Sequence, residues 1–258
     1  MIKDQILAHR RFMTDALRGE VDFSRTDQNR GVPAPKMQKP HDPRARLIRL
    51  AGPEEWAGQI GRIDLAAAIG GRKSRRHFSS QGLKLAELSF LLWATQGVRK
   101  VLGRGTALRN VPSAGSRHSF ETYLFIGNVE GVPPGLYRFL PFENQLVHIR
   151  DIEEMGQVLG QAAYGQKFVG TAAVTFAWAC IPYRTEWRYG LTAHRVMLLD
   201  AGHVCQNLYL ACEAIDAGTC AIGAYDQQAM DELIGLDGED EFTLYLAPVG
   251  KRAATGEQ

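Results

Sequence analysis

Residues 72–78 read Arg72-Lys73-Ser74-Arg75-Arg76-His77-Phe78, directly after Gly70-Gly71. Four cations and one hydroxyl occupy five consecutive positions. Like charges this close raise the free energy of a folded chain unless an anion lies against them. Two readings compete. One is a solvated basic turn, the usual fate of a charge run. The other is a phosphate cradle, in which guanidinium forks and the Ser74 hydroxyl hold phosphate oxygens.

The elements on either side of the cluster set the fold class. Upstream, Asp64–Ile69 reads as a short helix with Asp64 at its N-cap, ended by Gly70-Gly71. Downstream, Leu85, Leu88, Leu91, Leu92 and Thr95 mark a strong amphipathic helix over 85–96, with Gly97 just past its end. A Gly- and Arg-containing loop is expected over 98–109. Strands are expected at 122–126, 135–139 and 145–149, the last two joined through Pro141-Phe142-Glu143-Asn144. Residues 152–163 read as helix. The apolar run 172–181, with Val174, Phe176 and Trp178, fits a central strand buried on both faces. The longest helix spans 195–216 and is apolar over much of its circumference, which suits a core or an interface between subunits. A short strand at 219–222, a short helix at 227–233 and a last strand at 242–248 complete an α+β pattern.

The first 62 residues differ in kind from the rest. A short helix fits 1–20, and 22–46 carries Pro33, Pro35, Pro40 and Pro43 with few large apolar residues. This second stretch reads as an extended arm lying over the body or across a partner. The expected division is therefore 1–62, helix and arm, and 63–258, the folded domain. The whole chain has a formal net charge of +2, which argues against a dedicated nucleic-acid binder. No apolar run reaches the length of a membrane span and the stretch 1–12 holds no apolar core of signal-peptide length, so a cytoplasmic protein is expected. Cys180, Cys205, Cys212 and Cys220 show no metal-ligand spacing and read as small buried hydrophobes, and no metal is expected.

The chain lacks G-x-S-x-G, a strand-borne G-x-G-x-x-G, a Walker motif and an obvious carboxylate pair. If it is an enzyme, a bound cofactor does the hard step. Three pieces could hold a phosphate-bearing aromatic cofactor: the 72–76 cluster, the small residues Pro112-Ser113-Ala114-Gly115, and Lys251-Arg252 after the last strand. Each alone also reads as a plain turn or a solvated charge.

Together, the pieces resemble the nitroreductase superfamily of FMN enzymes, and most closely the branch with the SagB-type thiazole/oxazole dehydrogenases. The resemblance rests on R-x-S-x-R-x-F at Arg72, Ser74, Arg76 and Phe78; Leu88–Gly97; Pro112–Gly115 with Arg117, His118 and Glu121; and Gly135–Phe139. It continues through Gly202-His203, Gln206–Leu208, Cys220–Ala224 and Pro248–Gly250.

The resemblance implies a mostly antiparallel sheet flanked by helices and an intertwined homodimer with two flavins at its interface. Arg72, Lys73, Ser74 and Arg76 would then hold the FMN phosphate and ribityl chain, with Lys251 and Arg252 arriving from the last strand. Gln166 would lie near the flavin, and Pro112, Ser113, Ala114 and Gly115 would pack on its ring from the other subunit. The backbone at Gly223 or Ala224 would face flavin N5. The long helix would form the dimer core, with His203 and Asn207 as structural partners inside it. NADH or NADPH would deliver hydride, and the acceptor would be a small molecule: a nitroaromatic, a quinone or an unsaturated metabolite. The alternatives are oxidation of a peptide-derived or other small substrate, and a flavin-binding protein without turnover. At the position of the Lys-Tyr pair of azoline dehydrogenases stand Arg188 and Tyr189, the candidate catalytic pair. Arg stays protonated where Lys can be tuned to act as a base, which counts against azoline oxidation. Tyr189 reads equally as a proton donor, a positioning group or a tyrosine held by a local hydrogen bond.

Overall fold

The computed structural model describes residues 2–103 and 105–253. From the N-terminus, α1 (Ile2–Met13) is followed by two short 3-10 turns, an irregular arm and β1 (Leu47–Arg49). Helices α2 (Pro53–Trp56) and α3 (Leu65–Gly71) lead into the basic cluster, and α4 (Leu85–Gln96) follows it. Next come β2 (Val98–Gly103), β3 (Thr106–Arg109), β4 (Phe120–Ile126), β5 (Gly135–Leu140) and β6 (Gln145–Arg150). The remainder is α5 (Met155–Ala162), α6 (Lys167–Thr171), β7 (Val174–Cys180), α7 (Tyr183–Tyr189), α8 (Ala193–Glu213), β8 (Ala217–Thr219), α9 (Gln227–Ile234) and β9 (Phe242–Lys251).

Seven strands form one sheet in the order β1-β6-β5-β4-β7-β9-β8, with every neighbouring pair antiparallel. The fold is α+β, as the sequence suggests. Strand β7 lies between β4 and β9, and every residue of β4 and β7 is buried. Both faces of these strands are apolar because each faces a core. Leu88, Leu91 and Leu92 of α4 and Val204, Cys205 and Leu208 of α8 pack on one side with Phe176 and Trp178. Leu159 of α5 and Met230 and Ile234 of α9 pack on the other with Tyr123, Phe125 and Leu246. Helix α8 gathers much of the first core along its 21 residues.

The structure differs from the sequence reading in places. The expected loop over 98–109 is a separate two-stranded hairpin, β2 with β3. Its outer strand is almost wholly exposed, so no apolar alternation marks it. Folded structure also begins ahead of Ile63: β1 extends the main sheet by pairing Leu47–Arg49 with Gln145–Val147. The arm lies over the chain's own body. Gln28 N donates to Trp187 O at 2.9 Å, Trp187 Nε1 to Val32 O at 2.9 Å, and Arg109 Nη2 to Met37 O at 3.1 Å. Among the described residues no helix is long and apolar enough to cross a membrane.

All four cysteines are free and buried. Burial pushes the thiols of Cys180 and Cys205 up to about 12. Native protein at pH 8 should therefore show no fast-reacting thiol with Ellman's reagent, and all four should react after unfolding in guanidinium. A thiol that reacts within seconds in the native state would contradict this burial.

Candidate active site

The basic cluster runs extended along the β8 edge of the sheet. Ser74 bridges Thr219 in parallel, Arg75 N donates to Thr219 O at 2.9 Å, and Ser79 N donates to Lys251 O at 3.0 Å. Over the bridged residues the side chains alternate, with Arg75 on one side and Ser74 and Arg76 on the other. Arg75 turns inward toward Glu213, 4.0 Å away. Ser74 and Arg76 are exposed, as is Lys73, and Arg72 is half-buried. Among the described residues Arg72, Lys73 and Arg76 have no carboxylate partner, whereas Arg75 has one.

Tyr209 of α8 anchors this edge. Its hydroxyl lies 3.0 Å from Ser74 Oγ and accepts from Ala221 N at 2.8 Å, and Arg72 Cζ sits 5.2 Å from its ring centroid. Beside it, the buried Thr219 Oγ1 has no hydrogen-bond partner. Gln166 donates from Nε2 to Ala163 O and to Ala224 O, both at 2.9 Å, and so ties the turn before α6 to the 223–224 loop. Gly223 and Ala224 are exposed, with open space where a Gly223 Cβ would be. Arg76, His77, Gln166 and Lys167 line a cleft of 570 Å³, a size that suits a cofactor.

Lys251 and Arg252, which sequence reasoning assigned to the phosphate, are already committed to carboxylates. Lys251 Nζ is buried and donates to Glu87 Oε1 at 2.6 Å and to Ile215 O at 2.5 Å. Arg252 pairs with Glu213 and donates from Nε to Ala217 O at 3.1 Å. A larger cleft of 700 Å³ lies under the arm, but its Lys39, Arg44 and Arg138 are matched by Glu241, Asp42 and Glu121.

The second assembly surrounds Pro112–Gly115. Asp200 of α8 is buried; its carboxylate accepts Ser113 Oγ at 2.6 Å and Ala114 N at 3.0 Å. Burial pushes the Asp200 carboxyl up, and these two donors oppose the shift. Gly115 adopts φ 57°, and a Cβ there would lie 2.7 Å from Tyr189 Oη and 2.8 Å from Arg188 Cδ. Gly115→Ala should therefore lower stability by about 1–2 kcal/mol from the left-handed backbone alone, with the clash added. An unchanged melting temperature would contradict this geometry. Arg188 Cζ sits 5.5 Å from the Tyr189 ring centroid. Next to this loop, burial drives the His118 imidazole down to about 3, so the ring is neutral at physiological pH; its Nε2 lies 3.1 Å from Ala107 O.

One chain thus brings the proposed residues together in two groups, tied to α8 through Tyr209 and Asp200. Nine residues separate these anchors, about 13 Å along a helix axis. Asn207 Nδ2 donates to Ala94 O at 2.9 Å, a structural link between α8 and α4, while His203 is exposed. Sequence reasoning missed Tyr209 and Asp200. Asp200 carried a signal: an acid inside the apolar run Val196–Ala201 must find donors if buried. Tyr209 carried none, because a tyrosine in an apolar helix reads as core.

The residues on the cluster edge fit a phosphate-bearing ligand. Arg76 lines the cleft, the unmatched Arg72 and Lys73 and the unpartnered Thr219 hydroxyl lie on the same sheet edge, and Gln166 on the cleft wall holds the exposed backbone at Ala224. Among the described residues no group of three or more His, Cys, Asp or Glu could hold a metal ion.

Comparison with known proteins agrees with the sequence resemblance. The model of the nitroreductase family matches residues 69–251. A Methanocaldococcus jannaschii protein with the provisional name nitroreductase is 34% identical over 193 residues, covering 75% of this chain and 93% of that protein. A crystal structure from Ralstonia eutropha, also provisionally named a nitroreductase, superposes with a TM-score of 0.66 at 27% identity, over 86% of this chain and 95% of that one. An Anabaena variabilis structure of the same provisional name gives a TM-score of 0.67 at 24% identity over 82% of this chain, which spans only 42% of that longer protein. An Escherichia coli microcin synthetase complex shares the fold, with a TM-score of 0.59 at 19% identity over 74% of each chain. With the matched region covering most of the chain, this protein belongs to the nitroreductase family.

Proposed function

We propose that the chain is an FMN-dependent oxidoreductase that works as a homodimer and passes hydride from NADH or NADPH to a small organic acceptor in ping-pong fashion. The observation that carries this reading is the set of unmatched cations at Arg72, Lys73 and Arg76, the last of which lines a cleft with Gln166, whose amide donates to Ala224 O in the exposed 223–224 loop. FMN, when bound, supplies two-electron exchange between a reduced nicotinamide and an oxidised acceptor. Arg72, Lys73, Ser74 and Arg76 would hold its phosphate and ribityl chain, with Tyr209 fixing the Ser74 hydroxyl. Gln166 holds the 223–224 loop, whose small residues leave the main chain free to meet the ring edge. Tyr189 Oη lies beside Gly115 and suits protonation or orientation of the acceptor.

The separation of the two groups along α8 supports the homodimer. A second copy would supply the Pro112–Gly115 loop that one chain anchors away from its own basic cluster. Exposed apolar side chains are available for such an interface: Leu198 is 46% and Leu199 53% exposed on α8, and Leu65 is 65% and Ile69 56% exposed on α3.

The test is spectroscopic. Purified protein should be dimeric and yellow, should release FMN identified by mass, and should lose its visible flavin absorbance quickly when mixed anaerobically with NADH or NADPH. Slow bleaching with both donors would favour substrate oxidation or a protein without turnover. A monomer that refuses added FMN would end the proposal.

A further inference from the structure

Arg188 lies in the last turn of α7, half-buried, and among the described residues it has neither a carboxylate partner nor a hydrogen-bond acceptor. Its neighbours differ in this respect. Arg184 is paired with Glu121, Arg195 with Asp15 at 3.4 Å, and His194 with Glu186 at 2.7 Å. Asp200 is taken up by Ser113 and Ala114. Among the described residues none of these carboxylates pairs with Arg188.

A second guanidinium sharpens the imbalance. Arg117 is 2% exposed; it donates from Nε to Arg184 O at 2.9 Å and from Nη1 to Gly105 O at 3.3 Å. Its Cζ lies 4.8 Å from the Trp187 ring centroid, and its Nη2 is buried without a partner. Both of its acceptors are carbonyls, so its charge is unmatched. Arg117 lies over Trp187 and Arg188 over Tyr189, two residues apart in α7, and burial and then the charge of Arg188 push the Arg117 pKa down. Two unmatched guanidiniums beside the Gly115 loop create a local positive potential that an anion would relieve.

We propose that Arg188 is a substrate-positioning residue that binds the carboxylate of an anionic acceptor, with the Arg117 charge behind it favouring the same sign. This rests on the flavin reading above, because it takes the Gly115 loop as a wall of the active site. The planar fork of Arg188 suits a carboxylate, and the Tyr189 ring against its face limits the directions in which it can point. The preferred acceptors are therefore small unsaturated or nitro-substituted carboxylic acids rather than their neutral analogues.

Calorimetric titration of the purified holoprotein with 4-nitrobenzoate and with 4-nitrobenzamide tests this at low ionic strength. The carboxylate should bind roughly tenfold tighter or more, from one charge-assisted contact, and the ratio should shrink with added salt. Arg188→Gln should bring the ratio close to one, and Arg188→Lys should restore part of it. The KM values of the two acceptors should diverge in the same sense as their affinities. Equal affinities in the wild type, or a preference that survives Arg188→Gln, would overturn the proposal. So would an effect of Arg188→Gln confined to NADPH binding. The absorption spectrum of the same samples separates the two levels: a yellow protein without carboxylate preference overturns this inference alone, and an FMN-free protein that cannot be reconstituted overturns the flavin reading with it.

Discussion

Replacing Arg72 and Arg76 together by alanine should give protein that folds and is colourless. Neither side chain has a carboxylate partner among the described residues, and Arg76 is exposed, so their removal leaves no buried charge behind. Relief of like-charge repulsion within 72–76 offsets part of the lost Arg72–Tyr209 stacking, which is worth about 0.5–1 kcal/mol near a surface. The loss of bound ligand is far larger. Each charged hydrogen bond to a phosphate contributes about 1.5–3 kcal/mol, so the pair should weaken FMN binding by about a hundredfold or more. The ratio of flavin to protein absorbance after gel filtration reads occupancy, and thermal unfolding reads the fold. Full flavin stoichiometry in the double variant would place the phosphate elsewhere. Arg75→Ala is the contrasting case: it leaves Glu213 with Arg252 but strips the packing beneath Gly218, so it should act on stability first.

The same alternation explains what could be read in the sequence and what could not. Helix α4, strand β7 and helix α8 were legible because their apolar spacing reports burial directly, and burial is what these elements are for. The hairpin of β2 and β3 was not, since its exposed outer strand has nothing to bury. Strand β1 was hidden for a related reason: three residues at the sheet edge, mostly exposed, carry too little pattern. At the site, the position of the basic cluster was legible but its inner and outer faces were not. Which of five consecutive residues points at Glu213 depends on the bridge between Ser74 and Thr219, a contact between segments about 145 residues apart in the sequence. Tyr209 and Asp200 escaped for that reason too, because their roles come from partners on other elements.

Lys251 is a further case: its charge and the family resemblance assigned it to the phosphate, while the structure buries it against Glu87. Glu87 sits in the first turn of α4, where its Oε2 accepts Lys84 N at 2.9 Å and its Oε1 accepts Lys251 Nζ at 2.6 Å. Lys251→Met keeps most of the volume and removes the cation, leaving a buried carboxylate without its counter-charge. Breaking a buried pair in this way costs about 3–5 kcal/mol, a fall of roughly 10 °C in melting temperature for a chain of this size. Flavin occupancy of the folded protein at low temperature should change little. The double variant Lys251→Met with Glu87→Gln should recover much of the lost stability, since no unpaired charge is then buried. Loss of FMN at an unchanged melting temperature would reverse the assignment: Lys251 would then reach the phosphate when the ligand is bound, and the Glu87 pair would be only the resting partner of a residue that moves.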